Sequence, residues 1–159
     1  MSKVVLLDTA PLSQVAHPQI KPDVIRWLQY LEKTATVLRV PEIADYELRR
    51  ELLRAGKHES IYRLDQISQL FLIPLTTETI HKAAALWALI RNEGQATASN
   101  DSLDGDVILA AQAFFQLENF DEVEVITTNL KHISRFEFLG ISVKDWSQIL
   151  NNIKTTPNP

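Results

Sequence analysis

Short, uniformly apolar runs alternate along this chain with longer stretches in which apolar residues recur every three or four positions. The first run is Val4, Val5, Leu6 and Leu7, two of them β-branched, and it predicts a strand buried on both faces. Similar runs at residues 35–40, 71–73, 123–127 and 141–143 predict four more strands. Between them the period changes. Residues 11–16 predict a short helix broken by His17 and Pro18, and Pro22 opens a helix with Val24, Ile25, Leu28 and Leu31 on one face. After Pro41 a helix points Ile43, Leu48, Leu52 and Leu53 inward and Arg49, Arg50 and Arg54 outward, and Gly56 stops it. Residues 58–70 place Ile61, Leu64, Ile67 and Leu70 nearly in heptad step. Thr76 or Thr77 caps the next helix, whose stripe is Ile80, Ala83, Ala84, Trp87 and Ile90, and Gly94 closes it. Residues 94–103, small and polar, predict a loop. Residues 107–115 are apolar nearly all round and predict a buried helix, while a short helix near 130–136 and a last one from Asp145 complete the chain.

Strands alternating with helices imply an α/β fold with a mostly parallel central sheet. At 159 residues the chain reads as a single domain over 1–154 with a flexible tail at 155–159. Cysteine is absent, which excludes disulfides and thiolate metal sites. The longest nearly unbroken apolar run, 107–115, is far too short for a bilayer, and the few residues before Asp8 are too short for a signal-peptide core. The expectation is a soluble cytoplasmic protein. A net charge of −4 argues against a sequence-independent nucleic-acid coat, which needs a broad basic face. It leaves open an enzyme that meets phosphate through metal ions.

The candidate chemistry is acidic. Asp8 directly follows the first strand, ahead of Thr9, a possible helix cap, and Pro11, which suits a first helical turn. In open α/β sheets ligands bind at that edge, although a lone Asp there also reads as a turn carboxylate. Glu47 lies one turn into its helix and also reads as a surface partner of Arg50. Asp104 and Asp106 open the buried helix and also read as its cap and first-turn acid. No lysine or arginine adjoins Asp8, Asp104 or Asp106 in sequence. Carboxylates about 5 Å apart at an effective dielectric of about 20 repel by roughly 3 kcal/mol per pair. Gathering them requires a counter-charge, and hard divalent ions such as Mg²⁺ or Mn²⁺ take oxygen ligands of this kind. Two such ions would balance four negative charges and serve both oxygens of a phosphodiester.

The phrases Leu6-Leu7-Asp8-Thr9, Glu47-Leu48, Asp106-Val107-Ile108-Leu109-Ala110-Ala111-Gln112-Ala113 and Ile126-Thr127-Thr128-Asn129 together resemble the ordered motifs of a PIN domain, as in the toxins of VapBC-type toxin–antitoxin pairs. The resemblance covers nearly the whole chain. It implies a three-layer α/β/α sandwich that cleaves single-stranded RNA with Mg²⁺ or Mn²⁺. It also implies a homodimer and an antitoxin partner that blocks the acidic pocket. By position Asp8, Glu47 and Asp106 match the family's first three acids, and Asp104 an extra acid of some members. Asp8, Asp104 and Asp106 are then the metal ligands, with Glu47 as ligand or orienter of the attacking water. The fourth acidic position holds Asn129, which puts a second metal in doubt. Thr9, Thr128 and Asn129 are supporting residues, and Thr127 or Thr128 could hydrogen-bond a bound water.

The remaining polar residues carry weaker signals. His17, His58, His81 and His132 lack the paired helical spacing of a zinc site and read as surface residues. Arg49, Arg50, Arg54, Lys57 and Arg63 form a basic stretch, and Lys131, His132 and Arg135 follow Asn129. Either group reads as a solvated helix face or as an RNA or partner contact. Trp27, Trp87 and Trp146 read as core. There is no Gly-rich phosphate loop and no Gly-x-Ser-x-Gly elbow. The alternative reading is a PIN-like RNA- or protein-binding module without turnover.

Overall fold

A computed structural model describes residues 2–94 and 100–155. Five strands form one sheet: β1 (Lys3–Leu7), β2 (Val37–Pro41), β3 (Leu72–Ile73), β4 (Glu122–Thr127) and β5 (Ser142–Asp145). Their order is β3-β2-β1-β4-β5, and every neighbouring pair is parallel. Parallel neighbours need crossovers, and the helices supply them. Helices α1 (Thr9–Val15) and α2 (Pro22–Lys33) join β1 to β2, and α3 (Glu42–Ala55) and α4 (His58–Phe71) join β2 to β3. Helices α5 (Thr77–Asn92) and α6 (Asn100–Gln116) carry the chain back to β4, on the other side of β1. Helix α7 (Leu130–Ile133) and a 3₁₀ turn (Ser134–Leu139) lead to β5, and α8 (Trp146–Thr155) follows it.

Alternation along β1 divides the core into two layers. Val4 and Leu6 pack with Val123 and Val125 against Ala83, Leu86, Ile90, Val107 and Ala110 of α5 and α6. Val5 and Leu7 pack on the opposite face against Leu12, Val24, Trp27, Leu64 and Trp146. The indoles of Trp27 and Trp146 meet edge to face at 5.0 Å, tying α2 to α8. The result is the three-layer sandwich with a parallel sheet that the sequence predicts. Among the described residues no helix is long and apolar enough to cross a membrane.

Several boundaries and faces differ from expectation. Asp8, not Thr9, caps α1: its carboxylate accepts from the Thr9 amide at 2.8 Å. Helix α6 starts at Asn100, so the expected loop over 94–103 is shorter, with 95–99 outside the described residues. Polar Asp and Ser residues at 101–104 disguise that first turn as loop, although the backbone is helical. Thr155, expected in the tail, is the last residue of α8, and 156–159 lie outside the described residues. On α5 the buried stripe is Thr79, Ala83, Leu86 and Ile90, while Ile80, Ala84 and Trp87 are exposed. That helix has apolar residues on more than one face, so periodicity alone could not choose which line meets α6. Ile25, Leu53 and Leu70 likewise face solvent, whereas Trp27 and Phe71 pack in the core.

Gln112 is the polar interruption of the buried helix, and it is 1% exposed. Its Oε1 accepts from the Ile43 amide at 3.1 Å and its Nε2 donates to the Ile73 carbonyl at 2.8 Å. One side chain thus satisfies the buried first turn of α3 and the half-buried end of β3. Gln112→Leu is expected to leave both backbone groups unpaired and to cost on the order of 2–4 kcal/mol, read as a lower denaturant midpoint.

Candidate active site

Strand β1 is followed by a crossover to one side of the sheet, and the chain later returns to place β4 on its other side. At such a switch point the loops leave in opposite directions and a crevice opens beyond the strand ends. Leu7 is level with Ile126 in the β1–β4 register, so Asp8 and Thr127 come next to each other at that edge. The Asp8 amide donates to the Ile126 carbonyl at 3.0 Å. Thr127, fully buried, donates from Oγ1 to Asp8 Oδ2 at 2.8 Å and accepts the Asn129 amide at 2.9 Å. The Thr9 amide holds the other carboxylate oxygen, so Asp8 has one fixed orientation.

Glu47 comes from the second turn of α3, where Thr9 Oγ1 donates to its Oε1 at 3.2 Å. Burial, then the charge of Asp8, pushes the Glu47 carboxyl above its ordinary range. Asp106 comes from the middle of α6. Burial, then the charge of Asp8, pushes its carboxyl up to about 7 against the pull of Arg135, with Glu47 adding a smaller push. Asp106 Oδ2 is buried and has no hydrogen-bond partner. Three candidate acids from three elements therefore share one electrostatic centre.

Asp104 does not join them. Because α6 is already helical there, residues two apart point to nearly opposite faces. Asp104 lines a groove with Ile80, Trp87 and Ile108, between α5 and α6. Thr128 is exposed, and the supporting bond to Asp8 comes from Thr127, the last residue of the strand. The Asn129 side-chain amide lies 3.4 Å from the His132 ring, and His132 is half-buried rather than a free surface residue.

The basic candidates separate in the same way. Arg49 is bound to Asp45 at 2.8 Å and to Asp65 at 2.6 Å, joining α3 to α4. Arg54 pairs with Glu51, and Arg63 donates to the Val15 and Ala16 carbonyls at the end of α1. Arg50 lies over the Tyr46 ring and approaches Glu47 at 4.0 Å, an exposed contact of little weight. Lys131 is exposed on α7. A wider groove of 870 Å³ lies between the end of α1 and the α3–α4 junction, lined by His17, Lys57 and His58 but by none of the three acids.

Two more residues belong to the centre: Gly105, which carried no expectation, and Arg135, expected only as a solvated residue or an RNA contact. A Cβ on Gly105 would lie 2.9 Å from Glu47 Oε2, so the missing side chain is what admits Glu47 beside α6. A glycine inside a helix costs about 1 kcal/mol relative to alanine, and that cost was the available signal. The Arg135 guanidinium reaches Asp106 Oδ2 at 3.6 Å from the 3₁₀ turn, with both side chains largely buried. Nothing in the local sequence announces that approach.

Among the described residues no group of three or more His, Asp or Glu side chains closes into a cage for a metal ion. A hard divalent ion that keeps several waters needs only one or two carboxylates. The oxygen donors present, with the unpartnered Asp106 Oδ2 among them, fit such an ion.

No protein-family model matches the chain, and a comparison with curated proteins finds no match. Solved structures do match it. VapBC2 from Rickettsia felis, bound to a promoter DNA fragment, superposes with a TM-score of 0.69 at 16% identity, covering 90% of this chain and 98% of that one. DNA-bound VapBC from Salmonella typhimurium gives 0.63 at 17%, covering 92% and 99%. VapBC-1 from nontypeable Haemophilus influenzae gives 0.60 at 18%, covering 91% and 98%. The fold is that of a PIN domain. Within the PIN fold the switch-point edge is the place where Asp8, Glu47 and Asp106 converge.

Two outcomes follow from this geometry. Between about pH 4 and 7 the folded chain holds a proton on Asp106 that the unfolded chain has released, so stability is lost progressively as the pH rises through that window and the full cost is present above about pH 7. Without metal at pH 8, Asp106→Asn should raise stability by on the order of 3–4 kcal/mol in thermal denaturation, and the gain should shrink steadily as the pH is lowered toward 4. Gly105→Ala should fold at least as stably as the parent, because only the flexible end of Glu47 has to move. Its circular dichroism melt should be unchanged or raised while any activity that uses Glu47 falls.

Proposed function

We propose that this chain is a divalent-metal-dependent endoribonuclease acting on single-stranded RNA, and the toxin of a toxin–antitoxin pair. The observation that carries this reading is the convergence of Asp8, Glu47 and Asp106 on one edge, with the Asp106 carboxyl pushed up to about 7 and one of its oxygens left without a partner. Gathering mutually repelling carboxylates costs stability, and a cation-binding role accounts for that cost. The PIN fold shared with the VapBC structures supports the class of activity and an antitoxin as partner. Two of those structures contain DNA. With a net charge of −4, this chain would leave any DNA contact to its partner.

Asp8 and Asp106 would hold Mg²⁺ or Mn²⁺, which when bound supplies Lewis acidity toward a phosphodiester. The rest is the chain's own chemistry. Asp8 is locked by the Thr9 amide and the Thr127 hydroxyl, so its position needs no rearrangement on binding. Glu47 Oε1 is engaged by Thr9, while Oε2 faces the space left by Gly105. A carboxylate with raised basicity at that point would orient a water and take its proton on Oε2 as the water oxygen bonds to phosphorus, while the bridging P–O bond breaks and the departing oxygen takes a proton from solvent. Thr9 serves both acids, its amide on Asp8 and its hydroxyl on Glu47.

Asn129 supports a second reading, a PIN-like binding module without turnover, because that position contributes no charge and its amide turns toward His132. One experiment separates the two. The full chain should cleave single-stranded RNA with Mg²⁺ or Mn²⁺ and stop with chelator. Asp8→Asn should lose about 100-fold or more in rate while retaining the parent fold by circular dichroism. Stabilisation by Mn²⁺ with no cleavage would select the binding module, and unimpaired cleavage by Asp8→Asn would refute the assignment.

A further inference from the structure

Arg135 is the least expected occupant of the acidic centre. Its guanidinium lies 3.6 Å from Asp106 Oδ2, close enough for an ion pair and too far for a hydrogen bond. The side chains are 15% and 14% exposed. Arg135 Nε and Nη2 and Asp106 Oδ2 are all buried, and none has a hydrogen-bond partner. The guanidinium also lies 5.3 Å from the Phe136 ring. A pair made only for stability would close this gap, since buried donors left unpaired are costly. Here two guanidinium donors and one carboxylate acceptor stay unused on adjoining side chains.

The charge balance points the same way. Fully ionised, Asp8, Glu47 and Asp106 contribute three negative charges, and Asn129 adds none. Arg135 returns one positive charge, and a single divalent ion neutralises the remainder. Arg50, which also approaches an acid of the centre, is 54% exposed and 4.0 Å from Glu47, so solvent screens it. We propose that Arg135 is the fixed second cation of this centre. It limits the site to one divalent ion and lends its positive charge to the phosphate of the RNA strand. This rests on the nuclease reading above.

The test compares the full chain with Arg135→Gln and Arg135→Lys at pH 8. Mn²⁺ binding is counted by electron paramagnetic resonance, and single-stranded RNA binding is measured by fluorescence anisotropy in chelator. The parent and Arg135→Lys are expected to bind one Mn²⁺ per chain. Arg135→Gln should take up a second Mn²⁺ or bind the first about tenfold more tightly, while its metal-free RNA affinity falls about tenfold. Arg135→Lys should keep the parent's Mn²⁺ binding and stay within about threefold of its metal-free RNA affinity, because it keeps the charge. That variant carries the test if Arg135→Gln does not fold. Two Mn²⁺ ions on the parent, or parent-like Mn²⁺ and RNA binding in Arg135→Gln, would overturn the proposal while leaving the nuclease reading intact. A second Mn²⁺ on Arg135→Lys would also overturn it. A parent chain that binds no Mn²⁺ and cleaves no RNA would overturn both.

Discussion

Thr127 donating to Asp8 across the β1–β4 junction is the contact on which the candidate centre depends. It exists because the two strands run parallel, in a register that makes their last residues neighbours. That register is fixed by the core. Val4 and Leu6 must face α6 while Val5 and Leu7 face α1 and α2. A slip of one residue would turn every one of these side chains to the wrong layer. The hydrophobic pattern of β1 therefore positions a carboxylate that takes no part in the core.

Around that fixed point the other groups are adjustable. Thr9 links Asp8 to Glu47, and the bare Cα of Gly105 makes room for Glu47 against α6. Asp106 is held mainly by its helix, with one oxygen unpaired and an arginine at ion-pair distance. Such an arrangement stores electrostatic cost at an edge while two well-packed layers stabilise the whole. The raised carboxyl of Asp106 is the sign of that cost.

Buried and paired charge elsewhere is spent on architecture. Asp45, 8% exposed, binds Arg49 and receives the Ser68 hydroxyl, joining α3 to α4. Arg63 satisfies carbonyls at the end of α1, and Gln112 ties α6 to α3 and β3. A basic stretch that reads as one surface in sequence is thus divided among several structural jobs. Only Arg50 of that stretch approaches an acid of the centre, and it does so at the surface.

The four motif phrases that resemble a PIN domain implied the three layers and Asp8, Glu47 and Asp106 as a set, while local pattern by itself determined the five strands, their mostly parallel arrangement and the place of Asp8 at a strand end. The latter follow from local rules: apolar runs make buried strands, and a residue after a strand stands at the sheet edge. Tertiary structure alone decided which of the neighbouring residues belong to the centre. Asp104 is excluded because α6 begins four residues earlier than its polar composition suggests, which turns that side chain to another face. Thr127 rather than Thr128 reaches Asp8, Gly105 matters for the side chain it lacks, and Arg135 enters from a 3₁₀ turn. All of these depend on distances between elements far apart in the chain, and spacing along one strand or helix carries no information about them.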